Sequence, residues 1–274
     1  MILIYLLLFL FIGYLNSIKC PKIRMADIVD ADYQTGDLLF LRSPAFTSAI
    51  QQALFGSFVN HCSMIYKTES GALWVWDCNP KIGAYMTPFE YYVRDNWEGN
   101  DPTPLSPPIG MDVSYAISEQ KRKKGKTSKI YVRRRIGKPL DAQCILRFIQ
   151  KNIGRPYSYR FWPAAFTRSM SITIPFNVPR EKDMGMFCSE LIAHTLAEAG
   201  CIDTSASNPE KILPVHFWEN EIKWIQMHLS APEELFGEKK FSQTQELTRW
   251  IDGVDKNENA FKIVQLLCER SVNS

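Results

Sequence analysis

The sequence predicts a mixed α and β fold, and three observations carry that reading. Two β-rich runs, His61–Lys67 and residues 73–77, are separated by the turn-forming stretch Thr68-Glu69-Ser70-Gly71-Ala72, the pattern of a β-hairpin. Residues 140–153 place Cys144, Ile145, Phe148, Ile149 and Ile153 on one helical face. A second helical stretch over residues 189–199 closes on Gly200. With 274 residues, 46% hydrophobic and 22% charged, the chain has the composition of one or two folded domains. Its net charge of +3 gives no electrostatic case for wrapping a polyanion, so no nucleic-acid partner is expected.

Taken in order, residues 1–18 carry no charged side chain and as a helix span roughly 27 Å, close to a bilayer's apolar thickness. The absence of a basic n-region and of small residues before a cleavage point favours an uncleaved membrane anchor. Cleavage, giving a secreted or lumenal protein, is the alternative. Lys19, Lys22 and Arg24 would hold the globular part on the cytosolic side. Residues 37–41 read as a buried strand, followed by a helix over 47–55 that Ser43-Pro44 could start. Residues 96–128, with DPTPLSPP and KRKKGK, read as a long surface loop. Residues 129–136 form a strand candidate. Asp141 starts the helix that follows, and Gly154 with Pro156 ends it. The domain reading is an anchor at 1–18, a core over 33–230 and a helical extension over 231–274, with helical patterns at 245–251 and 260–267.

Chemistry narrows to few side chains. Seven cysteines include no CxxC pair and no Cys/His ligand cluster, so neither a metal nor another cofactor is expected. Cys188 stands directly before the first turn of the second helix, where free N–H groups and the helix dipole favour a thiolate. Left without a partner, the same thiol would be an inert buried cysteine. The histidines are His61, His194, His216 and His228. A three-residue hairpin loop ending in Gly71 sets Thr68 opposite Ala72 and Cys62 opposite Cys78, with His61 and Asp77 sharing a face. A two-residue Ser70-Gly71 turn would put Asp77 on the other face. In an oxidising lumen, Cys62 and Cys78 would be the first pair to examine for a disulfide.

The order of TGDLLFLR (35–42), NHCSMIY (60–66), a carboxylate at Asp77, GRPYSYRF (154–161) and FCSELIAHTL (187–196) resembles the circularly permuted branch of the NlpC-type papain-like superfamily. Within it, the YiiX-like group with its poxviral relatives is the most similar. The resemblance covers about residues 33–215. It implies an α+β permuted papain-like core, with the nucleophile at a helix N-terminus packed against an antiparallel sheet that bears the histidine. It also implies Cys188 as nucleophile, His61 as base, Asp77 as third member, and Tyr157 on the substrate side. Asp77 stands where glutamate is more common, Phe187 where tyrosine is frequent, and Ser158 where an acidic residue is common; Asp37 is structural. The backbone N–H groups of Cys188 and Ser189 are the expected oxyanion donors. The expected activity is cleavage of a peptide, amide or lipid acyl substrate at a membrane. An acyltransferase or a catalytically silent scaffold are the alternatives. No reading of oligomeric state follows.

Overall fold

Among the described residues there are nine β-strands, and the longer ones turn successive apolar residues to cover on two faces. The computed structural model describes residues 20–24, 33–43, 52, 56–69, 71–80, 83–89, 92–93, 96, 128–159, 185–205, 208–219 and 228–236. The strands are β1 (Lys22–Arg24), β2 (Leu38–Arg42), β3 (His61–Lys67), β4 (Leu73–Asn79), β5 (Gly83–Pro88), β6 (Lys129–Arg133), β7 (Arg135–Ile136), β8 (His228–Leu229) and β9 (Glu233–Phe236). Seven of them form one sheet in the order β1-β9-β6-β2-β3-β4-β5; β7 and β8 pair separately. All pairs in the main sheet are antiparallel except β1 with β9, which is parallel. The fold is α+β, and its sheet is mixed at that edge rather than wholly antiparallel.

The α-helices whose bounds fall within the described residues are α1 (Ala142–Asn152), α2 (Cys188–Glu198) and α3 (Pro214–Glu219). Leu38, Phe40, Met64 and Trp76 share a buried cluster with Ile145 and Ile149 of α1 and Leu191, Ile192 and Leu196 of α2. Their sequence neighbours Leu39, Leu41, Ile65 and Val75 lie in a second cluster with Tyr33, Phe89 and Tyr92. The period of two thus divides the strands between two cores. Trp76 Nε1 donates to Thr195 Oγ1 at 3.1 Å, tying the centre of β4 to α2 without leaving a buried indole N–H unpaired.

The structure revises several expectations. The hairpin forms, but β4 continues to Asn79, and an unexpected strand, β5, follows it. The expected strand over 129–136 breaks at Arg134. The N–H of Arg135 leaves the main ladder and donates to Asp37 Oδ1 at 2.7 Å. Strands at 22–24 and 233–236 share the core sheet, so neither 33–230 as the core nor a wholly helical extension from 231 holds. Strands of three or four residues carry too little periodicity to be read locally. Asp141 caps α1 by accepting from Gln143 and Cys144 N–H, as expected. No described helix is long and apolar enough to cross a membrane. The expected anchor at 1–18, nearly all of the helix at 47–55 and of the loop at 96–128, and the tail helices lie outside the described residues.

Candidate active site

The hairpin's register decides which face each polar residue takes. Gly71 has φ +88°, a conformation that suits glycine at the last position of the turn. Thr68 N–H donates to Ala72 O at 2.9 Å, and the ladder runs on through Lys67↔Leu73 to Met64↔Trp76. Beyond that last pair of the ladder, the strands carry His61 to within reach of Asp77. His61 Nε2 lies 2.7 Å from Asp77 Oδ1. The carboxylate is fully engaged: Oδ1 also accepts from Cys78 N–H at 2.7 Å, and Oδ2 accepts from Tyr85 Oη at 2.8 Å. Tyr85 stands directly across the β4–β5 ladder from Asp77.

Cys188 is the first residue of α2, one position later than expected relative to the helix start, and Phe187 is the N-cap. A phenyl ring cannot accept a hydrogen bond, so no side chain caps the first turn. Glu190 instead reaches back to the N–H of Phe187 at 3.3 Å. The first helical bond runs from Leu191 N–H to Phe187 O, so the N–H groups of Cys188 and Ser189 precede the helical ladder. The Ser189 hydroxyl is buried and makes no hydrogen bond among the described residues.

Hairpin and helix meet at the thiol. The Cys188 thiol is held well below its ordinary range by a hydrogen bond from the Cys62 thiol, against burial, which pushes the other way. The charge and hydrogen bond of His61 and the Cys62 backbone N–H act in the same lowering direction. For His61, burial alone would favour the neutral ring, but the charge of Asp77, then of Cys188, and hydrogen bonds to both hold the imidazole protonated well above 6.5. With Nε2 facing Asp77, Nδ1 is the ring nitrogen left for the thiol, and the two shifts favour the charged form of each group. Cys188 keeps 5% of its surface exposed and the His61 side chain 15%.

Tyr157 pairs with Met186 in an isolated parallel bridge two residues before the thiol. Burial raises its hydroxyl's pKa, and Cys188 raises it further, so it stays a neutral donor beside the site. Glycine is required where this segment is threaded. A Cβ on Gly185 would come 2.1 Å from Pro156 O, and one on Gly83 2.3 Å from Arg155 O. Ser158 is buried, its N–H on Met186 O at 3.1 Å.

Sequence reasoning missed Cys62 and Tyr85. Cys62 neighbours a candidate base, which was a usable signal, whereas Tyr85 depended on recognising β5. Cys62 and Cys78 are free thiols, without the disulfide considered for them. His194 lies 3.9 Å from Glu190, and His216 Nδ1 accepts from Leu213 N–H at 2.9 Å. Among the described residues, no group of three or more His, Cys, Asp or Glu is arranged to hold a metal ion.

No protein-family model matches the chain, and none of the curated proteins matches it. Among solved structures, the chain is similar to metalloprotein yiiX from Escherichia coli O157:H7. The TM-score is 0.39 and the identity 16%, over 76% of this chain and 99% of that one. A likeness of this degree says nothing about chemistry.

Proposed function

We propose that the chain is a thiol hydrolase of the permuted papain-like kind, cleaving an amide or ester through a Cys188–His61–Asp77 triad. One observation carries the reading. Cys188 opens a helix whose first turn has no side-chain cap, and the strand packed against that helix carries an imidazole whose Nε2 sits 2.7 Å from a buried carboxylate. The Cys188 thiolate attacks the substrate carbonyl, forming an S–C bond and a tetrahedral oxyanion. The N–H groups of Cys188 and Ser189 are the donors for that oxygen. The imidazolium of His61 gives its Nδ1 proton to the departing amine or alcohol, leaving a thioacyl-enzyme. Water then attacks while His61, now neutral, takes its proton, and the acid leaves as the thiolate is restored. Asp77 keeps the Nε2–H tautomer in place throughout. Replacing water by another acceptor would make the same steps an acyl transfer.

Residues 1–18 are the proposed membrane anchor, which would bring the thiol within reach of peptide or lipid acyl substrates. The low exposure of Cys188 favours a second reading, a silent scaffold on the same fold. Labelling wild type and Cys188→Ala with a panel of acyl-donor probes separates the two. A hydrolase acylates at Cys188 and turns over at least one probe. A chain that none of the probes labels is a scaffold.

A further inference from the structure

Where α1 and α2 pack together, a cavity of about 480 Å³ opens outside the candidate active site. Its described lining takes Arg147, Phe148 and Lys151 from α1, Arg155 from the turn that follows, Met186, and Glu198 from α2, and it contains none of Cys188, His61 and Asp77. Three cations and one carboxylate thus surround a space of the size that takes a small organic molecule. Arg147 and Lys151 stand one turn apart on the same side of α1, a like-charge pair that repels until a counter-ion joins it. The negative end of the helix favours a cation at Lys151, in the last turn, but Arg147 lies too early for that help and Arg155 beyond it.

Arg155 is held in place by its surroundings. Its N–H donates to Asn152 O at 3.1 Å, and its carbonyl accepts from Ala84 N–H at 2.8 Å, which ties it to β5. Its Nη1 donates to Asn152 Oδ1 at 3.0 Å. Asn152 is itself buried, with Nδ2 on Phe148 O at 2.8 Å. A guanidinium fixed in this way loses little freedom when it grips an oxyanion.

We infer that this cavity binds the phosphate of a small organic phosphate, with Arg147, Lys151 and Arg155 as its cations and Phe148 and Met186 against the ligand's carbon frame. Two guanidinium forks and an ammonium match a group that presents three acceptor oxygens and close to two negative charges. A single carboxylate would leave part of that positive charge unanswered. Glu198 opposes any anion there, so its removal should tighten binding.

The inference does not depend on the proposed hydrolase. The test is calorimetric titration of the full chain in dodecyl maltoside micelles without phosphate buffer, using glycerol 3-phosphate in one arm and micelles doped with dioleoyl phosphatidic acid in the other. Saturable binding of glycerol 3-phosphate identifies a water-soluble ligand, and binding of the doped micelles alone identifies a lipid headgroup. In either arm, Arg147→Gln combined with Lys151→Gln should weaken binding by about tenfold or more, Glu198→Gln should strengthen it, and added salt should weaken it. These three side chains are exposed, so their replacement should leave circular dichroism unchanged. The absence of saturable binding in both arms would overturn the inference, as would binding that the double variant leaves intact or an equal affinity for succinate. Cys188→Ala should bind as the wild type does. A chain that binds the phosphate but turns over no acyl probe sinks the hydrolase and leaves this site standing, and the converse sinks only the site.

Discussion

Asp37 and Asp77 are both buried carboxylates of the same sheet, with 0% and 1% of their surface exposed, yet their surroundings give them different work. Asp37 accepts from two backbone N–H groups, those of Gln34 at 2.9 Å and of Arg135 at 2.7 Å. It fastens the entry of β2 to a residue 98 positions away. Burial pushes its pKa up to about 6, against the pull of those two N–H groups and of Arg135 and Arg134. Asp77 accepts from one backbone N–H as well, but its other partners are an imidazole and a phenol, and its charge reaches a thiol through the imidazole. Burial and hydrogen bonding alone therefore do not mark a functional carboxylate. What separates the two is whether a partner can move a proton.

The sharpest break of the contrast lies at the end of the Asp77 chain. Cys188→Ala should remove turnover of any acyl substrate, by about 10⁴-fold or more, while leaving circular dichroism unchanged. His61→Ala comes next, with a turnover loss of about 10³-fold from the missing acid and base. It should also slow iodoacetamide labelling of Cys188 at about pH 6. Wild-type Cys188 should label faster there than Cys144 and Cys201, because a hydrogen bond from Cys62 and the charge of His61 stabilise its thiolate, whereas burial pushes the Cys201 thiol up. If wild-type Cys188 reacts no faster than those two, the stabilised thiolate is wrong.

Asp77→Asn should cost about 10²-fold to 10⁴-fold in turnover by releasing the His61 tautomer, with less effect on labelling than His61→Ala. Asp37→Asn should leave labelling untouched and appear only in stability. A group raised from 3.8 to about 6 binds its proton more tightly in the folded state. Its contribution to stability is therefore largest below pH 4, falls as pH rises towards 6, and is level above; over two units it amounts to about 3 kcal/mol. Urea unfolding across pH 4 to 7 should show wild type losing stability relative to Asp37→Asn over that window. A constant difference would mean that Asp37 is charged throughout. The smallest effect belongs to Tyr85→Phe, which strips one hydrogen bond from Asp77 and should cost about 1 kcal/mol of stability with a few-fold loss of turnover.

Features that depend on neighbours along the chain were legible in the residues alone. Gly71 at the end of a three-residue loop selects the hairpin register, and with it the shared face of His61 and Asp77. Asp141 starts α1, and a thiol at the start of α2 follows from where the helical pattern begins. These features are settled within a few residues by turn chemistry, capping and period. Only the packed fold brings the hairpin and α2 together and lets Tyr85 close the Asp77 network. It also decided that residues 22–24 and 233–236 complete the sheet at its edge. Each of these rests on contacts between segments far apart in the chain, where no local pattern carries the information. Asp37 shows the same division: a carboxylate before a strand is visible in the sequence, but its N–H partner at Arg135 exists only once β2 and β6 lie side by side.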